Sequence, residues 1–306
     1  MMRRVVLALL AASFLAPFLY FESAAVVETA IFYEPGYYTP LANDSDPSDT
    51  YPMHQLGPHD RTTLINITDF GYSMRPSASS GCDPQPQRRP LLLALIHSAP
   101  RNYDKRTFLR NSWLLHRNQD FVGLFMVGEV DDAATQDQLL RENQLHGDLV
   151  QGHFMDSYRN MTYKHVMSLK YAAYECPGAR YVLKIDDDVA VNFPFLYKLL
   201  QSMSPLGVRD LLLCSQKSWS TVPRSYRSKW RMTFRDYPSY SYPSYCSGGA
   251  VVYSPDVVFR LYAILQQLPY FWVDDVHVTG TARVAANLKQ MHFLPNTNPF
   301  SLMHKA

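Results

Sequence analysis

Apolar residues in this chain come in short unbroken runs separated by stretches where they recur every three or four positions, so strands and amphipathic helices should alternate. Leu91-Leu-Leu-Ala-Leu-Ile-His97 has the continuity of a buried strand, and the Pro-rich segment before it puts the start of the folded domain near residue 90. Residues 121–128 read as a second strand ending in glycine, 133–144 as an amphipathic helix, and 148–158 as a short strand with a polar loop. A helical pattern over 162–174 is closed by Cys176-Pro-Gly. Residues 211–214 and 251–254 have strand character; 256–267, with Pro255 before it, and 276–288 read as helices. Strand following helix in this way predicts an α/β domain on a mainly parallel sheet with crossover helices.

The run Tyr181-Val-Leu-Lys-Ile-Asp-Asp-Asp-Val-Ala-Val-Asn192 belongs in the middle of that sheet. Aspartate is disfavoured inside a strand, so Asp186, Asp187 and Asp188 fall at its C-terminal end or in the turn after it. In an open α/β sheet that edge holds ligands. Adjacent carboxylates raise one another's pKa unless a cation sits among them, and a hard divalent ion, Mn²⁺ or Mg²⁺, is the natural counter-charge. A solvated acidic turn is the competing reading, and these residues alone leave the two level.

Arg3 and Arg4 precede an apolar stretch over residues 5–21, the pattern of a signal anchor or a cleaved signal peptide. The anchor is favoured, and the positive flank keeps the N-terminus cytoplasmic and the remainder lumenal. Residues 26–89 are rich in Pro, Tyr, Ser and Asp and read as a stem. The expected organisation is a cytoplasmic tail (1–4), a transmembrane anchor (5–22), a lumenal stem (23–89) and a catalytic domain (90–306). Asn43, Asn66 and Asn160 begin glycosylation sequons. Cys82, Cys176, Cys214 and Cys246 all follow the anchor, where disulfides persist; three pairings are open, and no CxxC spacing suggests zinc. The chain has 306 residues, 47% of them hydrophobic, which suffices for a packed core. Its net charge of +2 makes no case for a nucleic-acid partner.

Further residues invite chemical readings. Arg106, Arg110 and Trp113 share a helical face, more often solvated than ligand-binding. Trp219, Tyr226, Trp230, Tyr237, Tyr240, Tyr242 and Tyr245 form an aromatic stretch suited to sugars, to a protein partner, or to a core. Ser247-Gly-Gly-Ala250 permits close backbone approach. In Trp272-Val-Asp-Asp-Val-His-Val-Thr-Gly280 the paired carboxylates suit either a helix N-terminus or a general base.

Taken in order, these motifs resemble the β-1,3-galactosyltransferase family of glycosyltransferases, glycosyltransferase family 31, over roughly residues 90–304. Arg106-Thr-Phe-Leu-Arg-Asn-Ser-Trp113 looks like its R-x-x-x-R-x-x-W helix. Glu142 with His146-Gly-Asp-Leu-Val-Gln-Gly-His-Phe-Met-Asp-Ser-Tyr-Arg-Asn-Met-Thr-Tyr-Lys164 is similar to a second block. Lys184-Ile-Asp-Asp-Asp188 resembles the metal motif, Tyr242-Pro-Ser-Tyr-Cys-Ser-Gly-Gly249 a Y-P-x-Y-x-x-G-x-G segment, and Asp274-Asp-Val276 the usual Glu-Asp-Val.

The resemblance implies a GT-A fold and an inverting, Mn²⁺-dependent transfer from a UDP-sugar, galactose in preference to N-acetylglucosamine or N-acetylgalactosamine, to a glycan hydroxyl on protein or lipid. It implies Asp188 and Asp186 as metal ligands, with His304, or its rival His292, completing the shell. Arg106, Arg110, Asp156, Lys164, Lys184, Asp186 and Asp187 would serve the nucleotide-sugar. Trp230, Tyr242, Tyr245, Gly248, Gly249 and Asp274 would stand on the acceptor side, and Asp275 would be the base. A single-pass type II protein of the Golgi membrane is the implied setting. This sequence departs from the family at Asp274, at Ala250, where an aromatic often stands, and in the extra residue before Gly280. A catalytically silent relative acting as chaperone or glycan-binding partner is the competing function, and a metal-dependent hydrolase a third.

Overall fold

A computed structural model of the chain describes residues 58–76, 89–118, 120–204, 209–289, 291–293 and 298–303, together with 31–32 and residues 56, 82 and 207. The expected anchor and the Asn43 sequon lie outside the described residues. No helix within those residues is long and apolar enough to cross a membrane.

In chain order the strands are β1 (Ile31–Phe32), β2 (Tyr72–Met74), β3 (Leu92–His97), β4 (Phe121–Glu129), β5 (Leu149–Met155), β6 (Tyr181–Asp186), β7 (Val189–Val191), β8 (Leu212–Lys217), β9 (Tyr245–Tyr253), β10 (Met291–Phe293) and β11 (Phe300–Leu302). The main helices are α1 (Tyr103–Arg110), α2 (Ala133–His146), α3 (Met161–Glu175), α4 (Phe193–Met203) and α5 (Pro255–Leu265). Among the described residues nine strands form one sheet in the order β1-β10-β8-β9-β6-β3-β4-β5-β2, and β7 pairs separately with β11.

Period-two alternation explains why both faces of the central strands are apolar. In β3, Leu93 and Leu95 join the core under α3 and α5, whereas Leu92, Ala94 and Ile96 join the core under α1 and α4. β6 runs parallel to β3, with Asp186 level with His97, so the acidic turn stands at the C-terminal edge of the parallel strands. That is the edge where open α/β sheets take ligands.

The structure departs from the sequence expectation in three places. First, the sheet is mixed, because β9 is antiparallel to both β6 and β8. β8 and β9 are sheet neighbours joined through the aromatic stretch, and an antiparallel pair needs no crossover helix. Second, residues 58–76 are part of the folded domain and not of a stem. Leu64 and Phe70 are buried, β2 caps the sheet against β5, and Lys170 on α3 donates to the carbonyls of Asp60 and Thr63. Third, the helix expected over 276–288 is a π-helix over Asp275–Ala282 followed by one α-turn, Arg283–Ala285. A π-turn is an α-helix holding one extra residue, which accommodates the additional position before Gly280. The disulfides are Cys82–Cys176 and Cys214–Cys246, and the second joins β8 to β9.

Candidate active site

The acidic triplet splits into three roles. Asp187 turns inward, and its oxygens accept from Ser98 Oγ (2.8 Å), Asn102 Nδ2 (2.7 Å) and Lys105 Nζ (2.8 Å). With both oxygens engaged, Asp187 anchors the turn to the loop after β3; the expectation that it contacts the nucleotide-sugar is corrected. Asp186 ends β6 with its side chain 31% exposed and accepts from Lys184 Nζ at 2.6 Å. Burial pushes its pKa up to about 6 against the pull of Lys184, and the neighbouring Asp274 and Asp188 charges add to the rise. Asp188 is exposed, and its carbonyl accepts from Met303 N, which brings the end of the chain to this turn. His304 lies outside the described residues. The backbone of its rival, His292, pairs with Cys214 in β10, three places from β6 in the sheet.

Asp274 and Asp275 sit opposite, at the start of the π-helix, where Asp274 makes no side-chain cap bond. Asp275 lies in the first turn of that helix, as the helix-terminus alternative expects, but without a side-chain cap from Asp274. Asp274 Oδ2 lies 3.3 Å from His165 Nδ1, and His165 Nε2 reaches the Tyr253 hydroxyl at 3.1 Å. Burial alone would raise Asp274, but His165 and Lys184 more than offset it and hold it low. Burial and the Asp274 charge push Asp275 well above the usual carboxylate range. Environments that drive two adjacent carboxylates apart assign one as a fixed charge and the other as a proton acceptor.

Lys184 ties the two sides together. It is buried and donates to Asp186 and to the Gly248 carbonyl (2.5 Å). Burial opposes its charge, but Asp186, Asp274 and Asp275 outweigh this and keep it protonated. Gly248 on β9 lies directly against Asp275, and Gly249 faces Val189.

The two arginines of α1 meet carboxylates within the fold. Arg106, wholly buried, pairs with Glu142 through Nε (2.8 Å) and Nη2 (2.7 Å), and it also bonds Ser98 Oγ and the carbonyls of Ala99 and Pro100. Arg110 pairs with Glu142 and Asp148. Arg106 is thus wholly committed to the fold, whereas Arg110 keeps Nη1 without a hydrogen-bond partner among the described residues. Lys164 and Asp156 form a buried pair (2.8 Å) that closes on the Ser98 carbonyl and the Gly128 N–H, behind the acidic turn.

Of the acceptor-side residues, Tyr242 is buried against Tyr237, Tyr245 and Phe271, and burial pushes its phenol up to about 12. Trp230 is exposed, and its Nε1 donates to the Tyr158 hydroxyl at 2.5 Å. The sequence reading missed Ser98, Asn102, Lys105, His165, Tyr253 and Tyr158, whose importance arises only from contacts across the fold; only Lys164, beside His165, and the polar loop holding Tyr158 pointed near them.

Among the described residues no set of three His, Cys, Asp or Glu forms a closed metal shell. The donors present are Asp186 and Asp188, hard oxygen ligands on one turn, the first of them raised chiefly by burial. This arrangement fits a divalent ion that keeps waters and substrate phosphates in its shell.

The galactosyltransferase family model matches residues 104–293. The chain is similar to beta-1,3-galactosyltransferase 5 of Homo sapiens, 28% identical over 82% of this chain and 80% of that one. The same enzyme of Pan troglodytes is 30% identical over 71% of this chain and 73% of that one. The lactosylceramide 1,3-N-acetyl-beta-D-glucosaminyltransferase of Rattus norvegicus is 28% identical over 80% of this chain and 71% of that one. The apo structure of the bifunctional glycosyltransferase WbbM aligns with 12% identity over 70% of this chain and 40% of that one, at a TM-score of 0.38 that carries no weight here. With the family's match spanning well over half its length, the chain belongs to the galactosyltransferase family and is a hexosyltransferase.

Proposed function

We propose that the chain is an inverting β-1,3-glycosyltransferase of GT-A type that moves a sugar, galactose in preference to others, from its UDP conjugate to a hydroxyl of a glycan on protein or lipid. The setting we propose is the Golgi lumen, with residues 5–22 as the membrane anchor. The observation that carries the reading is Asp275, a carboxylate with a raised pKa facing Asp186 across Lys184.

A raised pKa makes Asp275 a stronger base than an ordinary carboxylate, which is what removing a proton from a hydroxyl requires. Asp275 takes the proton of the acceptor hydroxyl, which attacks the anomeric carbon from the face opposite UDP. Inversion of an α-linked donor gives a β product. Asp274 stays ionised through His165 and keeps Asp275 basic, and Lys184 limits the mutual repulsion of the three carboxylates. Asp186 and Asp188 would hold Mn²⁺, which when bound supplies counter-charge for the departing diphosphate.

The test is UDP release by the full chain with Mn²⁺ and each UDP-sugar, with and without a panel of simple acceptor sugars. Acceptor-dependent release from one donor is expected, lost on chelation and lowered about 10²–10⁴-fold by Asp275→Asn. A folded protein that binds UDP-sugars yet transfers to nothing would overturn the reading in favour of the silent glycan-binding relative.

A further inference from the structure

Between residues 217 and 236 the chain carries six basic side chains and one acidic one, although the whole protein has a net charge of only +2. Arg224 is committed to the fold, because it donates to the carbonyls of Met232, Thr233, Tyr237 and Ser239 and covers the Phe234 ring. Arg227, Lys229 and Arg235 are exposed and form no ion pair among the described residues.

One of these cations stands on a path to the catalytic carboxylates. Trp272, two residues before Asp274, lies 6.1 Å from Tyr158 between ring centroids. Tyr158 accepts from Trp230, so the three aromatics make a continuous shelf on which Tyr158 and Trp230 are open to solvent. The phenol of Tyr158 feels the charges of Asp274, Asp275 and Asp186. Two cations ride on the shelf: Lys229, 4.4 Å from the Trp230 ring centroid and 5.5 Å from that of Tyr158, and exposed Arg159, 5.0 Å from that of Trp272.

Aromatic faces suit the C–H face of a sugar ring of any charge. Positive charges beside them are idle for a neutral acceptor and productive for a charged one. They also offset the repulsion that ionised Asp274 would exert on an anion approaching the base. We infer that the shelf of Trp272, Tyr158 and Trp230, with Arg159 and Lys229, is an acceptor subsite for an anionic saccharide, one bearing a carboxylate or sulfate group. The inference rests on the transferase reading above and names its acceptor class.

The experiment uses the full chain with Mn²⁺, the donor found active, and three acceptors that differ only at C6: p-nitrophenyl β-galactoside, the galacturonide and the 6-sulfate. Exposed charge contacts are individually weak, so two of them should favour the charged acceptors about tenfold in kcat/KM at low salt. Screening should erase most of that preference at about 0.5 M salt. Arg159→Gln with Lys229→Gln should abolish the preference, and Arg159→Lys with Lys229→Arg should restore it. The carboxylate and sulfate arms show which anion is taken. Equal or better use of the neutral galactoside overturns the subsite while leaving the transferase intact. So does a double Gln variant that keeps the preference and instead raises the KM of the donor, which would assign the cations to the diphosphate. No UDP release from any donor with any acceptor overturns the transferase reading, and this inference with it.

Discussion

A Cβ on Gly248 would stand 1.9 Å from Oδ1 of Asp275, so the backbone of β9 is pressed directly against the base. Any side chain at 248 must push the carboxylate away. Misplacement by about 1 Å costs on the order of 10²-fold in rate. Gly248→Ala is therefore expected to lower kcat by about that factor in a protein whose circular dichroism is unchanged. Gly249→Ala, whose Cβ would meet only Val189 Cγ2 at 3.2 Å, should cost far less. Steady-state kinetics on the pair checks the contrast, and equal losses would remove Asp275 from its role.

Burial and Asp274 raise Asp275, so the limb of kcat/KM that rises with pH should lie above the ordinary carboxylate range. The same shift has a stability consequence. The folded pKa exceeds the unfolded one, so the favourable contribution is complete below the unfolded value and lost as pH rises through the folded value. Ionised Asp275 is thus a cost that Asp275→Asn removes. Thermal melts should show the variant gaining stability over the parent as pH rises towards and through the folded titration of Asp275, with no such gain in acid below the ordinary carboxylate range. A difference independent of pH would contradict this account.

Arg110 touches Glu142 and Asp148 in a buried ion-pair cluster and no ligand-facing group. Removing one partner of such a cluster leaves uncompensated buried charge, a loss of about 3–5 kcal/mol. Arg110→Met should lower Tm by about 10 °C. The donor KM measured on the protein that remains folded should stay close to the parent value. A raised donor KM at unchanged Tm would return Arg110 to the nucleotide side.

Cys82–Cys176 closes a separation of 94 residues and fastens the segment leading away from β2 to the end of α3. Removing such a bridge costs about 2–5 kcal/mol. Cys82→Ser is expected to raise hydrogen exchange at Leu64 and Phe70 more than at Leu93 or Leu95. Uniform exchange across all four would show that the bridge does not act on this cap.

By itself the sequence determined the alternation of strands and helices, the position of Asp186, Asp187 and Asp188 at the end of a buried strand, and the motif order that led to Asp275. These features are written in local periodicity and composition, which burial on a strand or helix face imposes residue by residue. The tertiary structure decided partners. Arg106 and Arg110 share a face on α1 whether they meet a nucleotide or Glu142, which lies 36 and 32 positions further on; only packing of α1 against α2 chose. Three consecutive aspartates look alike in sequence, yet Ser98, Asn102 and Lys105 draw Asp187 inward while Asp186 and Asp188 remain available. Asp274 and Asp275 are likewise adjacent and identical. Their opposite shifts come from His165, 109 residues before Asp274, which helps hold Asp274 low, and from burial and the Asp274 charge, which raise Asp275, because burial and charge act through space and leave no local signature.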